Sequence, residues 1–241
     1  MSDYFDMHCH IIPDVDDGAK NIEISLNILK KEYKDGIGNI ILTPHYRVGM
    51  FETPEEKIRE NYLYLKEQVR DEIPGMNLYL GCEYHVNMEM EEELRARPQL
   101  RIADTQHVLL EFSGADSAAY IKERVYVALS LGYQPIIAHI ERYPALEKDF
   151  DLIDYLRRMG AGIQINADAV LGEDGRSAKK FCRKLIKEDL VDFIGSDAHN
   201  MKERKPRMGE VIRLLRKKAG DGYVDHIFRE NPQRILDEAV Q

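Results

Sequence analysis

Along the chain, short apolar runs alternate with stretches whose apolar positions recur every three or four residues. The runs Tyr4–Met7, Asn39–Leu42, Leu78–Leu80, Val108–Phe112, Pro135–Ala138, Gly162–Ile165 and Phe193–Gly195 predict strands. Between them, Ile22, Leu26, Leu29 and Tyr33 fall at helical spacing, as do Ile58, Tyr62, Leu65 and Val69. Thr53-Pro54-Glu55-Glu56 predicts the start of the second helix, with Thr53 as cap, Pro54 in the first position and Glu56 completing a capping box. Further helical patterns cover Ile121–Leu131, Leu152–Met159, Phe181–Glu188 and Val211–Lys218, and a closing helix from Gly220 is expected to end at Asn231-Pro232. Strand alternating with helix implies parallel strands joined by crossover helices. No Gly/Ser/Pro-rich linker or repeat divides the chain, so one domain over residues 1–241 is expected.

Composition narrows the picture. The 241 residues are 44% hydrophobic and 32% charged, the balance of a soluble globular chain able to bury a core without disulfides. No apolar run approaches the ~18 residues of a membrane span, and the acidic start Met1-Ser2-Asp3-Tyr4-Phe5-Asp6 lacks a signal peptide's basic and apolar regions. A cytoplasmic protein is therefore expected, with no direct membrane insertion. A net charge of −9 argues against broad binding to nucleic acid. The three cysteines, Cys9, Cys82 and Cys182, are far apart, and none has an arginine six residues on, so the phosphate loop of thiol-dependent phosphatases is missing. All three are read as structural.

The chemistry is in the residues that follow each strand. His8 and His10 follow the first, His45 the second, Glu83 the third, Glu111 the fourth, His139 the fifth, Asn166 the sixth, and Asp197 with His199 the seventh. The steps from 8 through 45, 83, 111, 139, 166 and 197 each span about one strand-plus-helix unit of some 30 residues. Polar residues at the carboxyl ends of successive parallel strands converge on one mouth of a barrel. Imidazoles and carboxylates gathered there are the ligand set of divalent transition metals, whose charge offsets the repulsion among the acids. His8-Cys9-His10 places two imidazoles two residues apart, on one face of a strand end. His85, His107 and His226 fall outside the pattern and read as ordinary packing or surface residues. Asp14-Val15-Asp16-Asp17-Gly18 lacks the glutamate of a calcium loop, Ser25 standing in its place, and reads instead as a site loop that supplies one carboxylate. Zinc-protease and P-loop motifs are absent.

These motifs resemble the polymerase and histidinol phosphatase (PHP) superfamily, and within it the manganese-dependent bacterial protein-tyrosine phosphatases of capsular and extracellular polysaccharide synthesis. The resemblance runs through Asp6–Ile11, Asp14–Gly18, Thr43-Pro44-His45, Gly49–Ile58, Gly81-Cys82-Glu83, Leu110-Glu111-Phe112, Ile137–Tyr143 and Ser196–Asn200. It implies a distorted seven-stranded (β/α)7 TIM-like barrel of PHP type. It also implies three divalent metal ions, manganese foremost, with iron or zinc as alternatives. His8, His10, Glu83 and Asp197 resemble the ligands of the first metal; Glu83, Glu111 and His139 those of the second; Asp17, His45 and His199 those of the third. Glu111 and Asn166 stand where amidohydrolases place a modified lysine and a histidine, which separates the chain from that family.

The expected reaction is hydrolysis of phosphotyrosine by in-line attack of a metal-activated hydroxide, with no covalent enzyme intermediate. Arg142, Arg204 and Arg47 are candidates to clamp the phosphate, and His199 is a candidate proton donor. Phe51, with Tyr46 or Tyr143, is a candidate wall for the tyrosine ring. The resemblance implies a phosphotyrosine-bearing bacterial tyrosine kinase, with a tyrosine-rich tail, as partner. A small-molecule phosphatase, such as one acting on histidinol phosphate, is the alternative; a phosphodiesterase and a non-catalytic phosphoprotein-binding module come behind it. Neither oligomeric state nor regulation is legible.

Overall fold

The computed structural model describes residues 3–238; Met1 and Ser2 of the acidic N-terminus lie outside it. The strands are β1 (Tyr4–Cys9), β2 (Ile37–Leu42), β3 (His45–Tyr46), β4 (Asn77–Leu80), β5 (Glu83–His85), β6 (His107–Glu111), β7 (Gln134–Ile137), β8 (Gly162–Asn166) and β9 (Phe193–Gly195). The helices are α1 (Ile22–Asp35), α2 (Glu55–Glu72), α3 (Met90–Ala96), α4 (Ala118–Ser130), α5 (Phe150–Arg158), α6 (Ala167–Leu171), α7 (Arg176–Lys187), α8 (Met208–Ala219), α9 (Asp221–Asp225) and α10 (Asn231–Glu238). No helix of the described residues is long and apolar enough to cross a membrane.

Every strand pair is parallel, in the orders β1-β2-β4 and β3-β5-β6-β7-β8-β9. The sheet curls until β9 comes back to β1. There Asp197 N–H donates to His8 O at 2.8 Å and His10 N–H to Ala198 O at 2.9 Å. The result is an α/β fold on a curled parallel sheet with helices outside it.

Alternation along the strands assigns the two faces. Ile41, Leu109, Ile136 and Phe193 pack with Phe5 and Met7 in one apolar cluster, on the inner face of the curl. Their neighbours Ile40, Leu42, Val108, Leu110, Ile137 and Ile194 pack in another cluster with the helices. With both faces covered, β2 is buried along its whole length, which explains the apolar run Ile40-Ile41-Leu42.

Helix ends follow their sequence signals in part. Asn21 caps α1 by accepting from Ile24 N at 3.0 Å, and Gly36, at φ 101°, closes it in the left-handed region. Thr53 does not cap α2. Pro54 takes the cap position, and the Thr53 hydroxyl donates instead to Val15 O at 2.5 Å, tying two loops together. Asn231-Pro232 does not end the closing helix either. Helical turns run on from α9 through a wider π-type turn at His226–Glu230 into α10, with Pro232 as the second residue after that turn.

Two strands that apolar runs did not reveal, β3 and β5, extend β2 and β4 past short breaks. Leu42 pairs with Leu80 and His45 with Glu83 across the interruptions at Thr43-Pro44 and Gly81-Cys82. Gly81 N–H donates to Leu42 O at 2.8 Å and Glu83 N–H to Pro44 O at 3.0 Å, so the register survives both breaks. Each break is followed by a metal-type side chain.

Candidate metal centre

Residues paired across a parallel ladder share a face, so the series His45, Glu83, Leu109 puts both polar groups on the inner face, just beyond the apolar layer. His8 and His10 arrive from the end of β1, Glu111 from β6, His139 from the end of β7, and Asp197 and His199 from the loop after β9. The loop between β1 and α1 brings Asp17. His139 and Asp197 lie at φ 28° and 53°, left-handed conformations that non-glycine residues rarely adopt and that cluster at functional sites.

The eight metal-type side chains read from strand-end spacing meet, together with Asp17, which the resemblance assigns from the loop after β1. They form four overlapping groups, each with donor atoms within 4.8 Å of one another: His10, Asp17, His45 and His199; His8, His10 and Asp197; His8, Glu83 and His139; His45, Glu83 and Glu111. Glu83 sits in the middle. Its Oε2 lies 3.1 Å from His8 Nε2, His10 Nε2 and His45 Nδ1, and its Oε1 lies 2.6 Å from His139 Nε2. Asp17 Oδ1 is 3.5 Å from His45 Nε2 and 3.4 Å from His199 Nε2. Glu111 Oε1 lies 3.9 Å from His139 Nε2, and Asp17 is the most exposed of the nine.

Divalent cations fit this arrangement. Glu83 Oε2, His45 Nδ1 and His199 Nε2 are buried without a hydrogen-bond partner, and such orphaned atoms are costly unless something binds them. The ionisation pattern suits metal ligation, which needs neutral imidazoles and ionised carboxylates. Burial and neighbouring His10 push His45 down to about 4; burial and Arg142 lower His139; burial and His10 lower His199. Burial opposes ionisation of Glu83 and Asp197, but His8 and His139 around the first, and Arg142 and His8 around the second, hold both well below the usual carboxylate range. His8 and His10 differ. Burial works against both charged forms, yet Glu83 and Asp197 outweigh it at His8 and raise that imidazole, and Asp16 and Glu83 outweigh it at His10 and raise it to about 10.

A second layer of contacts orients the first, and of its members the strand-end pattern named only Asn166. Asp16 Oδ2 lies 3.0 Å from His10 Nδ1 and accepts from His45 N, while its Oδ1 accepts from Gly18 N. Gln164 Oε1 accepts from His139 N at 2.6 Å and lies 3.4 Å from His8 Nδ1. Asn166 donates to Asp197 Oδ2 at 2.9 Å. His85, read from the sequence as incidental, pairs through Nδ1 with Glu111 Oε2 at 2.8 Å, with Ser113 Oγ 3.3 Å from its Nε2. His107 and His226 keep to Thr105 and Glu230 and have no part in the cluster.

The arginines divide. Arg142 Nη2 and Arg204 Nη2 each donate to Asp197 at 2.6 Å, with about two-fifths and one-third of their side-chain surface still exposed. They stand between the cluster and solvent. Arg47 makes no ion pair with the cluster among the described residues; its backbone closes a turn with Phe51 instead. Phe51 stacks on the His45 ring at 4.8 Å and 12°. Neither tyrosine lines that space. Tyr46, one residue past His45, faces the helices, where it bonds to Glu93 and stacks on Tyr84. Tyr143 is fully buried, its hydroxyl accepting from Phe112 N and lying 3.3 Å from His139 Nδ1. Cys9, Cys82 and Cys182 are free and buried, and burial raises all three thiols.

Known proteins share this plan. The tyrosine-protein phosphatase CpsB of Streptococcus pneumoniae is 37% identical over 236 residues, spanning 96% of this chain and 97% of its own. A solved structure from work on YwqE of Bacillus subtilis and CpsB of Streptococcus pneumoniae, described as unique metal-dependent tyrosine phosphatases, superposes with a TM-score of 0.83. It is 30% identical and covers 98% of this chain and 92% of that one. A phosphotriesterase homology protein from Escherichia coli, 12% identical over 98% of this chain and 99% of its own, reaches a TM-score of 0.65 and shares the fold alone. The sequence pattern described as capsular polysaccharide synthesis, CpsB/CapC, matches residues 4–237, and the chain belongs to that family.

Proposed function

We propose that this chain is a metal-dependent tyrosine-protein phosphatase whose substrate is a phosphotyrosine-bearing bacterial tyrosine kinase of capsule synthesis. The observation that carries the reading is the convergence of nine metal-type side chains, in four groups each within 4.8 Å, beside two arginines. Near-full-length similarity to CpsB supports it. We take β2 with β3, and β4 with β5, as single interrupted strands, which makes the curl a seven-stranded (β/α)7 barrel in one domain. The chain is assigned to the cytoplasm on the same reading.

His8, His10, Glu83 and Asp197 would hold one cation; Glu83, Glu111 and His139 a second; Asp17, His45 and His199 a third, with manganese the first candidate. Bound there, divalent cations acidify water and neutralise phosphoryl oxygens. The chain's own groups do the rest. Arg142 and Arg204, anchored on Asp197, keep N–H groups for the phosphate oxygens, and a guanidinium fork matches phosphate geometry. Phe51, fixed flat against His45, offers an apolar face to the substrate's phenyl ring. A tyrosine leaving group, with a pKa near ~10, needs less proton donation than an alkoxide. His199 has Nδ1 3.0 Å from Asp197 O and Nε2 3.4 Å from Asp17 Oδ1, so the Nε2 that would hold the third cation is not also free to hold a proton.

Manganese-dependent phosphate release from a phosphotyrosine peptide, histidinol phosphate and a dinucleotide tests the assignment. The peptide is expected to be preferred. His139→Ala is expected to keep the fold by circular dichroism and to lose more than about a hundredfold in turnover, beyond what loss of a supporting contact costs. Preference for histidinol phosphate would overturn the substrate; unchanged turnover in the variant would overturn the metal centre.

A further inference from the structure

Two turns flank the mouth beside His45 and His199, whose rings lie 6.2 Å apart. In the first, the backbones of Arg47 and Phe51 exchange hydrogen bonds at 2.9 and 2.8 Å, leaving Val48-Gly49-Met50 at the tip. Glu52 braces that tip by accepting from Gly49 N, where φ is 76°. In the second, Asn200 Oδ1 accepts from the backbone N–H of Lys202, Glu203 and Arg204, and Arg204 O accepts from those of His199 and Asn200. Both turns are held by their own hydrogen bonds.

What they present outward is unusual for a chain of net charge −9. Val48, Met50 and Met201 are 54%, 61% and 41% exposed. Single exposed apolar side chains are ordinary, but these three stand on the two turns that follow His45 and His199, where an interaction site would border the cluster. Cations accompany them. Arg47, Lys202 and Lys205 have no carboxylate within 4 Å among the described residues; helix cations such as Lys66, Lys122 and Lys217 share that, but these three sit on the turns beside His45 and His199. Glu203 is the one acid between Met201 and Arg207, and Glu52 is committed to Gly49.

We propose that these two turns are a docking surface for the polypeptide on either side of the reacting phosphotyrosine, and that this polypeptide carries acidic and apolar side chains next to it. The inference rests on the phosphatase reading and deepens it. Charge complementarity selects the acidic flanks, and thioether side chains accommodate varied apolar ones. Because the turns are already ordered, docking spends little conformational entropy.

The test uses the manganese-loaded enzyme with three phosphotyrosine peptides of equal length, flanked by Glu/Leu, Lys/Leu or Gly/Ser, and p-nitrophenyl phosphate as a substrate without flanks. The Glu/Leu peptide is expected to exceed the Lys/Leu peptide about tenfold in kcat/KM, the margin shrinking at high salt. In a K202E/K205E variant, and separately in M50D, that preference is expected to collapse, with peptide binding by fluorescence anisotropy weakening in step and p-nitrophenyl phosphate turnover unchanged. Equal rates on all peptides, or a preference that survives charge reversal, would overturn the docking surface. So would a parallel loss on p-nitrophenyl phosphate, which would move these residues into the chemistry. No turnover of any substrate would overturn the phosphatase reading itself.

Discussion

At the scale of single residues, the donors that fill the centre are held by neighbours of equal consequence. Glu111 owes its orientation to His85, and His10 to Asp16. His85→Ala is therefore expected to weaken metal binding about ten- to a hundredfold in a calorimetric titration, whereas His107→Ala should leave it unchanged. His85→Gln, which can still donate toward Glu111, should recover part of the loss. Eight of the nine donors are legible in the sequence because each comes at the end of a strand unit, and the spacing of those units can be read without a structure; Asp17 lies in the loop after β1 and is assigned by the resemblance. His85 and Asp16 are not legible. His85 lies two residues beyond Glu83 on the same face of a strand only three residues long, with no apolar run to announce it. Asp16 stands between Asp14 and Asp17, and nothing in the order of residues tells which carboxylate turns toward an imidazole.

At the scale of elements, the centre depends on how closely strands approach. A Cβ on Gly195 would fall 2.5 Å from His8 Cβ and 3.2 Å from His8 N. Gly195→Ala is thus expected to push β9 from β1, lower stability by about 1–3 kcal/mol in a denaturant titration, and impair metal binding by separating His8 from Asp197. Sequence patterns found the strands built from apolar runs and missed β3 and β5, whose side chains alternate between the helix layer and the cluster. The misplaced ends have plain causes. Thr53 found a better acceptor in a neighbouring loop, and Pro232 was tolerated just after the π-type turn. Both outcomes are decided by tertiary contacts that local preference does not encode.

At the scale of the whole molecule, like charges from opposite ends of the sequence are packed into one cavity. Cations that bind the folded cluster and not the unfolded chain stabilise the fold by mass action. At a hundred times the dissociation constant the gain is about 2.7 kcal/mol, which for a chain of this size raises Tm by roughly 5–10 °C. A melting series with manganese and with a chelator checks this; equal Tm values would contradict it. The order of strand ends revealed the mouth of the fold, but not its seam, which joins β1 to β9 through bonds between residues nearly two hundred positions apart. That seam has a consequence for a chain emerging from the ribosome. Asp197 and His199 arrive only with the last strand, so a fragment ending before β9 carries seven of the nine candidate donors and lacks the closing partner of β1.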